Sequence, residues 1–150
     1  MPEGITLRRV EGKDISRIKT IADSRLREEY SVDLFNFFFE KHPECFLVAN
    51  AGNDIIGFIV GVPLDNTTLR IMMLAVTMEY NMKGIGSSLL EASFNYAKVR
   101  MITSIVLEVG TENSDAFDFY SKRGFKVTGL LPKYYKDKSD AFVMKRYIVM

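Results

Sequence analysis

The feature that most constrains the fold is the stretch Leu69–Val99, in which a strand pattern changes to a helix pattern across a turn that contains Gly84 and Gly86. Its first part, Leu69–Val76, is an apolar run with the length of a buried strand. Apolar side chains of its second part recur at helical spacing: Ile85, Leu89, Ala92 and Tyr96. Another apolar strand, Thr103–Val109, follows. We therefore expect a helix that crosses over between two parallel strands.

The rest of the chain supplies further strands and helices on both sides of this unit. Five more strands are predicted, at Ile5–Val10, Cys45–Asn50, Asp54–Val62, Phe125–Leu131 and Asp140–Ile148. Three more helices are predicted, with N-caps at Asp14, at Asp33 and at Asn113 or Ser114. Gly52 lies in the short linker that makes the second and third strands an antiparallel hairpin. The order predicts one α/β (α+β) domain over residues 1–150, with a mixed seven-stranded sheet and about four helices.

Composition narrows the class of protein. The chain has 150 residues, 47% of them hydrophobic and 26% charged, with a net charge of +1, which is typical of a globular protein and not of a dedicated nucleic-acid binder. We find no apolar run long enough to span a membrane and no signal-peptide core, so we expect a cytoplasmic protein. The single Cys45 lies in an apolar run and is interpreted as buried, with a reactive thiol as the alternative. One cysteine and one histidine, His42, do not make a zinc site.

The glycine turn is a candidate site for an anion. A strand that breaks into a turn and then a helix directs several free backbone N–H groups at one point, here residues 82–87, where they suit a phosphate. The glycine spacing is too short for a P-loop, and the third glycine of the dinucleotide fingerprint is missing. A plain turn at the start of a helix is the alternative.

Two side chains after the turn are candidates for proton transfer. Glu108 lies inside an apolar strand, on the face opposite Leu107 and Val109. It is either a residue at an open face or sheet edge, or a general base placed at a cleft. Tyr120, on the next helix, is either a core tyrosine or a proton donor near the same cleft.

Taken in order, these segments resemble one enzyme superfamily, the Gcn5-related N-acetyltransferases (GNAT). The resemblance rests on MLAVTMEYNMKGIGSSLLE, LEVGTENSDAFDFYSKRGF and YYKDKSDAFVM, and LREEYSVDLFNFFFEKHPECFLVA extends it over nearly the whole chain. Within the superfamily, the closing tyrosine and aspartate pattern resembles the branch that acetylates protein N-termini, the RimI and Ard1-like enzymes. The resemblance implies that acetyl-CoA lies where two parallel strands, 69–76 and 103–109, splay apart. It implies no metal.

The resemblance also implies a role for each candidate residue. Glu108 matches the general base, and Tyr120 matches the residue that protonates the departing CoA thiolate. The implied contacts to the cofactor come from the backbone of Leu74, Ala75 and Val76, from the N–H groups of Met82, Lys83, Gly84, Ile85, Gly86 and Ser87, and from Asn113. The implied contacts to the substrate come from Glu28, Tyr30, Tyr134 and Tyr135. Two positions depart from the family pattern: Asn81, where arginine or glutamine is usual, and Gly110, where arginine is usual.

The function expected from these residues is direct transfer of acetyl to the N-terminal α-amine of proteins. Deprotonating an α-amine near neutral pH costs about 1 kcal/mol, whereas a lysine costs roughly 4 kcal/mol, so a carboxylate base suits the α-amine better. The alternatives are a lysine or small-amine acetyltransferase of the same fold, and a non-catalytic CoA-binding module, which Asn81 and Gly110 favour. The expected partners are protein or peptide N-termini, with no nucleic acid and no membrane. An auxiliary subunit and a homodimer are both left open.

Overall fold

The computed structural model describes residues 3–148, and these form strands and helices in the predicted order. The strands are β1 (Ile5–Arg9), β2 (Phe46–Ala51), β3 (Asp54–Pro63), β4 (Thr68–Val76), β5 (Ser104–Gly110), β6 (Lys126–Leu131) and β7 (Ala141–Tyr147). The helices are α1 (Ile15–Arg25), α2 (Val32–Lys41), α3 (Ile85–Val99) and α4 (Ser114–Ser121). None of the helices described is long and apolar enough to cross a membrane.

The strands form a mixed seven-stranded sheet in the order β1-β2-β3-β4-β5-β7-β6. The crossover through α3 makes β4 and β5 parallel, with Thr68, Leu69 and Arg70 opposite Ser104, Ile105 and Val106. The pairs β1/β2, β2/β3, β5/β7 and β6/β7 are antiparallel. The predicted mixed sheet with one parallel pair is confirmed.

The described residues fall into two compact units. The first unit comprises the described parts of Met1–Val62 and Ile71–Tyr96, and the second comprises those of Pro63–Arg70 and Ala97–Met150. As a result β4 and α3 each contribute residues to both units.

The core of the first unit is built from α1, α2 and the inner faces of β2 to β4. The phenylalanines of α2 divide by helical position: Phe35 and Phe38 are buried in this core, whereas Phe37 is 48% exposed. Phe35 meets Phe58 of β3 edge-on, with ring centroids 6.2 Å apart. Cys45 is buried as predicted, and burial raises the pKa of its thiol to about 12.

Of the predicted helix caps, Asp14 is correct in position and Asp33 is wrong. Asp14 is the N-cap residue of α1, but its side chain makes no capping hydrogen bond to that helix. Its carboxylate instead accepts bonds from the Glu11 N–H at 2.7 Å and from both terminal nitrogens of Arg8. The cap of α2 is Ser31 rather than Asp33, since the Ser31 hydroxyl accepts from the Leu34 N–H at 3.2 Å. Asp33 instead lies in the first turn, where a negative charge favours the positive end of the helix dipole.

The second unit places β5 between the start of β4 and β7. Ile105, Leu107 and Val109 of β5 are buried. Helix α4 packs on β7 through Phe117 and Phe142, with ring centroids 5.6 Å apart. Asn113 caps α4, as one of the two predicted caps, with its side-chain oxygen accepting from the Ala116 N–H at 3.1 Å. This arrangement fixes the two faces of β5 and so decides where Glu108 points.

Candidate active site

Strand β5 holds Glu108 on its half-buried face. Leu107 and Val109 are 2% and 3% exposed, whereas Val106 and Glu108 lie on the opposite, partly open face. The predicted alternation is therefore confirmed. A carboxylate at such a position needs hydrogen-bond partners, because an unpaired buried charge is strongly destabilising.

Arg70 of β4 is the main partner of that carboxylate. Its register opposite Val106 puts it on the same face of the sheet as Glu108. The Arg70 Nε donates to Glu108 Oε1 at 3.0 Å, and Nη2 donates a second, shorter bond to the same oxygen. The side chains are 28% and 14% exposed, so this ion pair is shielded from solvent far more than a surface pair.

Tyr134, on the loop between β6 and β7, completes the cluster. Its hydroxyl donates to Glu108 Oε1 at 3.3 Å and accepts from Arg70 Nη2 at 2.9 Å. Tyr135 meets the Tyr134 ring edge-on at 5.0 Å, and its N–H donates to the Ser139 carbonyl at 3.2 Å. The second unit thus brings together Glu108, Tyr134 and Tyr135, three residues that were predicted for two different tasks.

The charges of the cluster reinforce one another. Burial alone would lower the pKa of Arg70, but the hydrogen bond and charge of Glu108 outweigh it and hold the pKa above its ordinary value. Burial raises the pKa of Tyr134, and the charge of Glu108 raises it further. Arg70 and Tyr134 therefore both stay protonated at neutral pH and act as donors to the carboxylate.

Tyr120 lies in the last turn of α4, in an aromatic group. Its ring is 5.1 Å from that of Phe119 and 5.5 Å from that of Phe125. Burial raises the pKa of its phenol, and the charge of Arg123 offsets only part of that rise. The phenol is therefore neutral at working pH and has a proton to give, but the raised pKa makes it a weaker acid than an ordinary tyrosine.

In the first unit, the glycine turn has the backbone geometry that an anion site requires. Met82 and Gly84 have φ of +63° and +85°, and α3 begins at Ile85 with no acidic residue in its first turn. The first N–H groups of a helix have no acceptor within the helix. No atom lies within 4 Å of where a Gly84 Cβ would be, and residues 81–84 are exposed. These features fit the pyrophosphate of acetyl-CoA.

Helix α1 supports the end of β4 just before this turn. The Arg25 Nε donates to the Val76 carbonyl at 2.9 Å, and its Nη1 lies 3.6 Å from the sulfur of Met78. Of the predicted cofactor contacts here, the Val76 carbonyl is thus already held by a side chain. Leu74 is partly exposed and Ala75 is buried.

The other predicted residues lie at the ends of elements. Glu28 and Tyr30 lie between α1 and α2, both half-buried, and Tyr30 packs against the core of the first unit. Asn113 commits its side-chain oxygen to capping α4, which leaves its amide nitrogen as the group for a ligand. The Asn81 amide nitrogen is 4.0 Å from the Met78 sulfur.

Sequence reasoning missed Arg70 and Arg25. Arg70 had a usable signal, because it is the one charge in the apolar run Leu69–Val76 and the neighbouring parallel strand carries the one opposite charge, Glu108. Arg25 had none, since a basic residue in the last turn of a helix is a common surface feature.

Comparison with known proteins identifies the family. Residues 13–125 match the model of the acetyltransferase (GNAT) family, so the chain belongs to that family. It is 37% identical over 129 residues to N-alpha-acetyltransferase 30 of Schizosaccharomyces pombe, covering 83% of each chain. The crystal structure of Ard1 from Thermoplasma volcanium superposes with a TM-score of 0.95 at 35% identity, covering 98% of this chain and 99% of that one. Arabidopsis thaliana Naa50, in complex with the bisubstrate analogue CoA-Ac-MVNAL, gives 0.85 at 25% identity, covering 95% and 98%.

Proposed function

We propose that this protein is an acetyl-CoA-dependent acyltransferase that acetylates the N-terminal α-amine of proteins. The observation that carries the proposal is Glu108, a half-buried carboxylate fixed on β5 beside the tyrosine pair of the loop between β6 and β7. Relatives that match most of the chain are named N-alpha-acetyltransferases. The Naa50 complex contains a peptide and CoA joined in one analogue, which supports a peptide N-terminus as substrate here.

In the proposed reaction the amine attacks the thioester directly. When bound, acetyl-CoA supplies an acetyl group activated as a thioester. The amine nitrogen forms its bond to the acetyl carbon while the carbon–sulfur bond breaks. Glu108 accepts the proton that the amine loses, and Tyr120 gives a proton to the departing thiolate. Exchange with water then restores both residues, so protons balance over the cycle.

No covalent acetyl-enzyme is needed in this scheme. Cys45 is 1% exposed, and its raised pKa leaves about one thiol in ten thousand ionised at pH 8. The cost of deprotonation favours the α-amine as the substrate group. Near neutral pH it costs about 1 kcal/mol to deprotonate, against roughly 4 kcal/mol for a lysine, and a carboxylate is a weak base.

We propose that the first unit holds the cofactor through backbone groups of Leu74 to Val76 and through the N–H groups of residues 82–87. Asn113 would contact the cofactor arm with its amide nitrogen. Glu28, Tyr30, Tyr134 and Tyr135 would contact the first residues of the substrate. We further propose that residues 1–150 act as one catalytic domain in the cytoplasm, where nascent N-termini are exposed.

The test is to locate the acetyl group by mass spectrometry. Matched peptides that contain one lysine are incubated with acetyl-CoA, one with a free α-amine and a dimethylated lysine, the other with a blocked α-amine and a free lysine. The first two residues are varied across the panel. We expect acetylation of the first kind of peptide only. Acetyl on lysine side chains alone, or binding of acetyl-CoA without turnover, would overturn the proposal.

A further inference from the structure

The hydrogen bonds of the Glu108 carboxylate are unequally divided between its two oxygens. Oε1 accepts from Arg70 Nε, from Arg70 Nη2 and from the Tyr134 hydroxyl. Among residues 3–148, no side chain or backbone group hydrogen-bonds to Oε2. A carboxylate oxygen with three donors has little capacity left for a fourth, so a new proton donor is received at Oε2.

We propose that Arg70 is a positioning residue that anchors Oε1 of Glu108, so that Oε2 is the atom that accepts the proton of the substrate amine. The inference rests on the proposed function and adds to it the identity of the accepting atom and the residue that orients it. The planar guanidinium is suited to this task, because two of its N–H groups fix the plane of the carboxylate as well as its position.

Arg70 also supplies the main charge that faces Glu108. Within the second unit, the register places two more titratable side chains on the same face: Lys145 of β7, opposite Val106, and Lys126 of β6, opposite Lys145. The Lys145 ammonium lies 5.0 Å from the Tyr147 ring centroid, and Lys126 is exposed. Tyr134 is neutral at working pH. Arg70 is therefore the cation in direct contact with the carboxylate, through its bonds to Oε1.

The experiment compares Arg70→Gln and Arg70→Lys with the wild-type protein, and uses Lys126→Gln as the control. The control removes one positive charge from the same face without touching the cluster. Each protein is assayed at one pH over a range of concentrations of acetyl-CoA and of whichever amine the wild-type protein acetylates, so that kcat and KM are obtained separately.

For Arg70→Gln we expect kcat to fall about 10- to 100-fold. The KM for acetyl-CoA stays within about twofold. Arg70→Lys keeps the positive charge but loses at least about fivefold in kcat, because a lysine donates from a single point. Lys126→Gln behaves as wild type.

A second measurement needs no substrate. The carboxyl ¹³C shift of Glu108, assigned with Glu108→Gln, is compared between the proteins at one pH. We expect it to differ in Arg70→Gln from the wild-type value, because the carboxylate loses the two bonds from the guanidinium. An unchanged kcat and an unchanged carboxyl shift in Arg70→Gln would overturn the inference. If that variant does not fold, a wild-type kcat in Arg70→Lys overturns it instead. Acetylation of lysines alone by the wild-type protein would overturn the proposed function and leave this comparison intact.

Discussion

Arg70 and Glu108 lie on the same face of two parallel strands, and the guanidinium donates two hydrogen bonds to one carboxylate oxygen. The relationship follows from the topology. The crossover through α3 places β5 parallel to β4 with Arg70 opposite Val106, and residues two apart on a strand share a face. The carboxylate at the centre of the candidate site is therefore fixed by sheet register rather than by a flexible loop.

Replacement of Arg25 is expected to affect the binding of acetyl-CoA more than the rate of acetyl transfer. Its bond to the Val76 carbonyl supports the strand end that leads to the glycine turn. Replacement by glutamine is expected to raise the KM for acetyl-CoA about three- to tenfold and to change kcat less than twofold. Arg17 makes the matching contact elsewhere on α1, donating from Nε to the Ile55 carbonyl at 3.0 Å. Steady-state kinetics of Arg17→Gln should show no such rise, and an equal rise in both variants would refute a specific role for Arg25.

A side chain in place of Gly57 in β3 is expected to destabilise the folded protein. A Cβ there would lie 3.0 Å from the Ala75 carbonyl oxygen and 3.3 Å from the Val76 side chain. We expect Gly57→Ala to lower the free energy of unfolding by about 1–3 kcal/mol, as overpacking does. Gly129→Ala is the control, because its nearest neighbour, the Val143 side chain, would be 3.7 Å away. Urea unfolding compares the stability of the two variants, and equal midpoints would contradict the expected clash.

Asp14 is expected to make the protein sensitive to acid. Burial alone would raise its pKa, but the bonds from Arg8 and from the Glu11 N–H outweigh burial and hold the pKa below its ordinary value. A carboxyl with a depressed pKa in the folded state stabilises the protein at pH values above its unfolded pKa, near 4, and loses this effect as the pH falls through the folded value.

The variant Asp14→Asn is therefore expected to be less stable than the wild type by about 1–3 kcal/mol at pH 7, and the difference should shrink below about pH 4. Asp23→Asn removes the exposed partner of Lys19 and should change stability little. Denaturant unfolding at a series of pH values tests this. A difference for Asp14→Asn that is constant from pH 7 to pH 3 would show that the ionised carboxylate is not what stabilises the fold.

The parts of this structure that the sequence predicts are those set by local periodicity. The order of the strands and helices, the buried Cys45 and the face of Glu108 all follow from apolar runs, alternation or helical spacing. Asp14 is the N-cap residue of α1 as predicted, but its side chain bonds to Arg8 instead of capping the helix. The cap of α2 was misjudged because Ser31 and Asp33 are both acceptable caps in sequence. The contact between Arg70 and Glu108 depends on the register between β4 and β5, which is a tertiary property. The hydrogen bond from Tyr134 to Glu108 also depends on tertiary structure, because Tyr134 lies on the loop between β6 and β7.

The role of Glu108 as the acceptor of the proton of an N-terminal α-amine is tested by the rate of acetyl transfer in Glu108→Gln. Pre-mixed protein and acetyl-CoA are reacted with the best α-amine peptide in a single turnover, and acetyl-CoA affinity is measured separately by calorimetry. Loss of a general base should slow transfer by roughly two to four decades while affinity stays within about twofold. A wild-type rate of transfer in Glu108→Gln would show that Glu108 does not accept this proton.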